Sequence, residues 1–163
     1  MRQFQSFSTT VERELAAAPT ARPARTAAGY DEPENFLEVE VRDPRTHFPH
    51  GDSNRGMYTD YLVVCRTNLP SFPQRVSQVR RRYSDFEFFK RCLFKELSLS
   101  AHPRVVIPAL PGKILWARRF HDEVIEERRE GLAQWLSTVA GHPLLQSGSK
   151  VLVRFLQDEV FNG

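Results

Sequence analysis

The chain has 163 residues, of which 40% are hydrophobic, and this size and composition suit a single domain with a substantial buried core. The formal net charge is only +3, lower than a dedicated nucleic-acid-binding domain usually carries, so we expect local basic sites and no nucleic-acid partner. The sequence contains no apolar run near the roughly 20 residues of a spanning helix, and no signal-peptide pattern at its N-terminus. Any membrane contact is therefore expected to be peripheral.

The cysteines and histidines do not indicate a metal or redox site. The two cysteines and five histidines are scattered, without the spacing of zinc ligands. Isolated cysteines fit a reducing compartment, where each acts as a small hydrophobic residue. We expect no metal, no cofactor and a cytoplasmic location.

Residues 1–29 are predicted to form a flexible N-terminal arm, and residues 30–163 to form the folded domain. The arm is rich in alanine and contains the helix-breaking Pro19 and Pro23, so it offers little to bury. Phe4 and Phe7 are unusual in a spacer. They represent either random aromatic content or a short docking motif that becomes ordered on a partner.

Three strands are predicted after the arm. Apolar and polar residues alternate from residue 36 to 42, which is typical of a strand with one buried face, and Asp43 and Pro44 are expected to end it. Residues 57–67 and 74–83 predict two further strands, rich in β-branched or aromatic residues. The connections are too short for crossovers, so the sheet is expected to be an antiparallel meander.

The periodicity then changes to that of helices. Ser84 as N-cap and Glu87 three residues later form a capping-box pattern, which predicts a helix from there to about residue 99. A second helix is predicted from about residue 122 to a stop at residues 141–143, and a last one over residues 150–157. The fold class is therefore α+β, with a three-stranded antiparallel sheet packed against a helical subdomain.

Adjacent arginines and a tyrosine lie where the third strand meets the first helix. On a strand Arg80 and Arg82 share one face and Arg81 takes the other. A guanidinium matches a phosphate bidentately, and the ring of Tyr83 suits the apolar face of a cyclic polyol. The helix N-terminus adds N–H donors and a positive dipole end. The alternative is a solvated edge strand whose basic residues prevent edge pairing.

A proline loop precedes the second helix. Pro108 and Pro111 stiffen the backbone, so that Lys113 is presented from a fixed position. Two other readings remain open, an ordinary proline turn and a ligand for a proline-recognising module. A phosphate-binding P-loop is excluded, because the upstream glycine and the Ser or Thr after the lysine are missing.

The apolar triplet Ile114, Leu115 and Trp116 follows in the same loop, next to Arg118. Such residues are usually buried in a core. Flanked by cations, however, they also suit insertion into a bilayer interface, where tryptophan favours the headgroup level.

The second helix carries Arg128 within a run of mixed charges. Such a run is usually a solvated face. If Arg128 faces the same cleft as Arg82, its guanidinium could bond the hydroxyls of a bound sugar, but the sequence leaves its orientation open. Asp85 and Glu87 have no accompanying nucleophile, base or metal set, so we expect no enzyme activity.

These motifs together resemble the PX (phox homology) domain family. The stretch from Arg82 to Phe86 is similar to its Arg-Tyr-x-x-Phe signature, residues 107–113 to its proline loop, and Glu127-Arg128 to its second-helix arginine. The resemblance covers about residues 34 to 160. Within the family it is closest to the short PX-only sorting nexins that act with retromer, of the fungal Grd type.

The resemblance implies phosphatidylinositol 3-phosphate as the ligand. It implies that Arg82 holds the 3-phosphate, that Tyr83 stacks on the inositol ring, that Lys113 meets the 1-phosphate, and that Arg128 bonds the 4- and 5-hydroxyls. Ile114, Leu115 and Trp116 would insert into the membrane.

The implied biology is recruitment of retromer and of sorting motifs in membrane cargo tails to endosomal membranes, for retrieval to the Golgi. The main alternative is a protein-only adaptor that uses the proline loop without specific lipid recognition. A further hypothesis concerns Ser84, since a phosphate there would add about −1.5 to −2 charges beside Arg82 and compete with the lipid.

Overall fold

The computed structural model describes residues 34–100, 104–114, 118 and 120–163. The predicted N-terminal arm, with Phe4 and Phe7, lies outside the described residues. The strands are β1 (Leu37–His47), β2 (Tyr58–Thr67) and β3 (Val76–Arg82), and the helices are α1 (Tyr83–Leu99), α2 (Asp122–Ala140), α3 (Pro143–Gly148) and α4 (Lys150–Gln157).

The three strands form an antiparallel sheet in the order β1-β2-β3, which confirms the predicted meander. The pairing register places His47 opposite Tyr58 and Asp60 opposite Arg82. Because side chains alternate along a strand, this register decides which residues of β1 and β2 surround the end of β3.

The end predicted for β1 is wrong. The strand does not stop at Asp43 and Pro44 but continues to His47 through an irregularity between Arg42 and Arg45. Asp43 adopts a left-handed conformation with φ of 48°, which aspartate tolerates better than most residues. Since β1 lies at the sheet edge, a proline without an N–H can be accommodated at such a bulge.

The core lies between the sheet and the helices, and the predicted helix faces are buried. Phe86, Phe89 and Leu93 of α1 are inaccessible to solvent. The ring of Phe89 stacks on Phe155 of α4 with centroids 4.0 Å apart and meets Trp135 of α2 edge-on. The α+β architecture is therefore confirmed.

The mixed-charge run on α2 does not form a uniformly solvated face. Arg129 binds Glu126 through Nε at 2.8 Å, and its Nη1 donates to the carbonyl oxygen of Val41 at 3.0 Å. This bond connects α2 to β1. The neighbouring Arg128 takes no part in it.

A short helix, α3, was not expected. Residues 141–143 do stop α2, but Pro143 then occupies the first turn of α3, where its missing N–H costs nothing. Among the described residues, no helix is long and apolar enough to cross a membrane.

Candidate functional site

The end of β3 and the start of α1 form one continuous segment. Arg82 is both the last residue of β3 and the N-cap of α1, and its backbone N–H donates to Asp85 Oδ2 at 2.7 Å. The predicted cap at Ser84 is therefore two residues too late. The N–H groups of the first turn of α1, including that of Ser84, carry the positive end of the helix dipole.

The three consecutive arginines have different surroundings, although the strand period predicts only that Arg81 faces away from Arg80 and Arg82. Arg80 pairs with Asp60 at 2.6 Å and with Asp43 at 3.1 Å. Arg81 is only 2% exposed and points into the core on the opposite face. The guanidinium of Arg82 is exposed and, within the described part of the chain, forms no hydrogen bond or ion pair.

Arg82 instead stacks on an aromatic ring. The guanidinium carbon lies 3.3 Å from the centroid of the Tyr58 ring, and Tyr58 stacks in turn on His47, with centroids 4.8 Å apart. Sequence reasoning missed Tyr58. The available signal was its place at the start of β2, which the pairing register brings next to the end of β3.

Tyr83 and Arg128 meet on the other side of the same segment. The Arg128 guanidinium lies 3.9 Å from the centroid of the Tyr83 ring, and its Nη2 donates to the carbonyl oxygen of Gly112 at 3.1 Å. The Tyr83 hydroxyl donates to the carbonyl oxygen of Pro111 at 2.5 Å. The pKa of Tyr83 is raised, mainly by burial and secondly by the negative charge of Glu87, so this phenol stays neutral at physiological pH.

Arg82, Tyr83 and Arg128 converge on one open cleft of about 220 Å³, here named the Arg82 cleft. Its walls come from β2, the β3–α1 junction and α2, and are formed by Met57, Tyr58, Thr59, Tyr61, Arg82, Tyr83, Ser84 and Arg128. A second observation on this cleft concerns Arg128, whose Nε is buried and has no hydrogen-bond partner among the described residues. The cleft can thus offer two guanidinium groups, three tyrosine rings and a helix N-terminus to a phosphorylated ligand.

The proline loop is packed against α2. The Trp135 Nε1–H donates to the carbonyl oxygen of Pro108 at 2.9 Å. A Cβ on Gly131 would lie 2.8 Å from Pro111 Cγ, so the glycine permits the loop to approach the helix. The stiff loop holds the carbonyl oxygens that accept from Tyr83 and Arg128.

Lys113 lies beside the cleft rather than in its wall. Its side chain is 80% exposed, and its Nζ is 3.4 Å from Glu87 Oε1 on α1. Glu87 is one helical turn after Tyr83, so this ion pair lies on the Tyr83 side of α1.

The predicted insertion triplet is only partly described. Ile114 is half-buried and lines a second cavity of about 280 Å³, which shares Arg128 with the Arg82 cleft. Leu115 and Trp116 lie outside the described residues.

Comparison with known proteins gives one family. A model of the PX domain matches residues 69–159. Sorting nexin-3 of Kluyveromyces lactis is 64% identical over 162 residues, which cover 99% of this chain and 98% of that protein. Sorting nexin-3 of Saccharomyces cerevisiae is 60% identical over 162 residues, 99% of each chain. The X-ray structure of a designed CISK-PX domain is similar in fold, with a TM-score of 0.57 and 22% identity, over 74% of this chain and 98% of that one.

Proposed function

Because this chain belongs to the PX domain family, and within it to the sorting nexins, we propose that it binds phosphatidylinositol 3-phosphate at membrane surfaces. The observation that carries the proposal is the convergence of Arg82, Tyr83 and Arg128 on the Arg82 cleft. The residues assigned to the headgroup are Arg82, Tyr83, Lys113 and Arg128. The protein acts by binding, without a catalytic step.

Arg82 is assigned to the 3-phosphate. Its guanidinium is the one in the arginine triplet that has neither a carboxylate nor a carbonyl partner within the described ranges, so the N–H groups of that side chain are available. A phosphate beside it would also meet the first-turn N–H groups of α1. Guanidinium and helix dipole favour a dianionic phosphate at this position.

Tyr83 and Arg128 are assigned to the inositol ring. Both line the cleft, and Arg128 covers one face of the Tyr83 ring. A sugar in the cleft would contact the aromatic surface and could accept from the Arg128 guanidinium through its 4- and 5-hydroxyls. Since the guanidinium would lie close to the 5-hydroxyl, headgroups with a further phosphate there would be disfavoured.

Lys113 is assigned to the 1-phosphate. In the structure it pairs with Glu87, but the pair is solvent-exposed on the lysine side. Exposed ion pairs contribute only about 0–1 kcal/mol, so the lysine can exchange Glu87 for a phosphate at little cost.

Ile114, Leu115 and Trp116 are assigned to membrane insertion, because they follow Lys113 directly. Each large apolar side chain moved out of water contributes about 1.5–3 kcal/mol. Each nearby cation adds about 1 kcal/mol on an anionic leaflet. Together with one specific headgroup these contributions would hold the protein on the bilayer.

The proposed cellular role is the one that the resemblance described above implies. We assign to this protein the recruitment of retromer and of sorting motifs in cargo tails to endosomal membranes, for return to the Golgi. A protein-only adaptor is the alternative. The packing of the proline loop against Trp135 and Gly131 disfavours it, because a recognition peptide needs free proline faces.

The test is cosedimentation with vesicles that differ only in their inositide, either unphosphorylated, singly phosphorylated at each position, or multiply phosphorylated, at one fixed salt concentration. We expect binding to require the 3-phosphate. Arg82→Ala should remove it, whereas Arg66→Ala, which deletes an equal charge from an exposed β2 position, should not. Equal binding to all vesicles, or equal sedimentation of Arg82→Ala and wild type, would rule out the proposal and favour the protein-only adaptor.

A further inference from the structure

Three side chains form a stacked column across the sheet at the Arg82 cleft. His47 of β1 and Tyr58 of β2 are directly opposite in the register, and their rings stack with an interplanar angle of 21°. Tyr58 is diagonal to Arg82, whose opposite partner is Asp60. Diagonal neighbours on a sheet face are within reach of long side chains, and the Arg82 guanidinium indeed covers the Tyr58 ring at 3.3 Å.

The base of the column is fixed. His47 Nε2 is 2.8 Å from Asp60 Oδ2, while Arg80 Nε donates to Asp60 Oδ1 at 2.6 Å. Asp60 is only 8% exposed. Arg80 therefore holds one oxygen, and the His47 ring contacts the other without hydrogen-bond geometry at its Nε2, so the carboxylate opposite Arg82 is directed to other residues.

Stacking and phosphate binding use different parts of the guanidinium. The flat face lies on the tyrosine ring, whereas the N–H groups project from the edge in the guanidinium plane. A side chain held by its face keeps its edge free for a bidentate phosphate. It also loses less rotamer freedom when the ligand binds, which is the cost that a flexible arginine would otherwise carry.

We propose that Tyr58 is a positioning residue for the headgroup site: its ring, backed by His47, holds the Arg82 guanidinium flat with its N–H edge toward the phosphate. This inference rests on the proposed phosphoinositide binding and assigns a role to a residue outside the four named above. Tyr58 acts through Arg82 and through the face of its ring, so its hydroxyl is dispensable.

The test uses inositol 1,3-bisphosphate, the soluble headgroup, and calorimetric titration, so that membrane insertion plays no part. Tyr58→Leu removes the aromatic face and should weaken binding by about tenfold. Tyr58→Phe keeps the face and should bind within about twofold of wild type. The matched control is Phe48→Leu, the same loss of an aromatic ring at an exposed position just beyond β1, and it should bind as wild type does.

Proton NMR spectroscopy keeps the proposal testable if Tyr58→Leu is poorly folded. In wild type the Nε–H proton of Arg82, assigned by its absence in Arg82→Lys, should be shifted upfield by the ring current of Tyr58. The shift should persist in Tyr58→Phe. An Arg82 proton at the position of an exposed arginine in the wild type would overturn the proposal whatever the variants do.

The outcomes separate this inference from the proposed function. If Arg82→Ala abolishes headgroup binding and a folded Tyr58→Leu binds like wild type, the positioning role is wrong while the binding function stands. If the wild type does not bind the headgroup, the binding function fails. The positioning role for the headgroup then fails with it, even where the ring-current shift is present.

Discussion

Arg81 provides the sharpest test of how the arginine triplet divides its roles. It is 2% exposed, and burial lowers the pKa of its guanidinium, although Asp85 and Asp158 oppose this effect. The guanidinium lies against the rings of Phe155 and Phe161. It donates to backbone carbonyl oxygens at the end of α4 and just after it, those of Arg154, Phe155, Asp158 and Glu159.

Arg81→Met removes these donors and keeps much of the apolar volume. The last carbonyl oxygens of a helix have no partner within the helix, so several would lose the guanidinium as their donor. A buried acceptor left unpaired costs about 1–3 kcal/mol, but the desolvation cost of the guanidinium is relieved at the same time. We therefore expect a net loss of about 2–4 kcal/mol, or about 6–12 °C in melting temperature for a domain of this size.

The assay is urea unfolding followed by tryptophan fluorescence, with the same substitution at the next position as the control. Arg82→Met should leave the free energy of unfolding within about 0.5 kcal/mol of wild type and should remove headgroup binding. Arg81→Met should do the reverse, losing stability while its folded fraction binds with unchanged affinity. Equal unfolding free energies for the two variants would refute the assignment of Arg81 to the core.

Three further outcomes are expected. Gly131→Ala should weaken headgroup binding by about tenfold in calorimetry, because its Cβ would push Pro111 and the proline loop away from α2; unchanged affinity would contradict this. Burial raises the pKa of Tyr61 to about 12 and that of Cys65 to about 11, so both stay protonated in the fold after the unfolded chain has ionised. The free energy of unfolding should therefore stay constant below about pH 9 and fall toward pH 12. Between pH 7.5 and 10.5, urea titrations of Cys65→Val should show a loss of unfolding free energy about 1 kcal/mol smaller than that of wild type. Equal losses in the two proteins would contradict this. Ser84→Glu should weaken vesicle binding through its charge beside the Arg82 guanidinium, and cosedimentation equal to wild type would argue against control by phosphorylation there.

Local periodicity predicted the parts of the fold that depend on one element at a time. The alternation of β3 separates Arg81 from Arg80 and Arg82, and the helical spacing places Phe86 and Phe89 in the core. Each of these results follows from the burial of one face of a strand or helix, which produces a periodic pattern of apolar residues in the sequence.

The errors occur where the surroundings of a residue override its local preference. Ser84 is of a type that commonly caps helices and Arg82 is not, yet α1 begins directly after Arg82, because β3 ends there and Asp85 accepts from its backbone N–H. The end of β1 was placed too early for a similar reason, since a proline stops an interior strand but is tolerated at an edge.

Part of the candidate site could be predicted from the sequence. Arg82 and Tyr83 adjoin in sequence, and a motif could find them, whereas His47 and Tyr58 reach the cleft only through strand register. The pairing of Lys113 with Glu87 likewise depends on how the proline loop packs beside α1. Contacts between distant elements leave no periodic signal in either segment.

The three arginines show why unpaired charge, rather than charge itself, marks this site. Arg80 is balanced by Asp43 and Asp60, and Arg81 by the carbonyl oxygens at the end of α4. Arg82 has the same side chain but rests on an aromatic face, which attracts its positive charge without occupying its N–H groups. Arg80 binds one oxygen of Asp60 and the His47 ring lies against the other, so the carboxylate opposite Arg82 in the register pairs elsewhere. At the Arg82 cleft the sheet thus presents a cation whose hydrogen-bonding groups remain available to a phosphate.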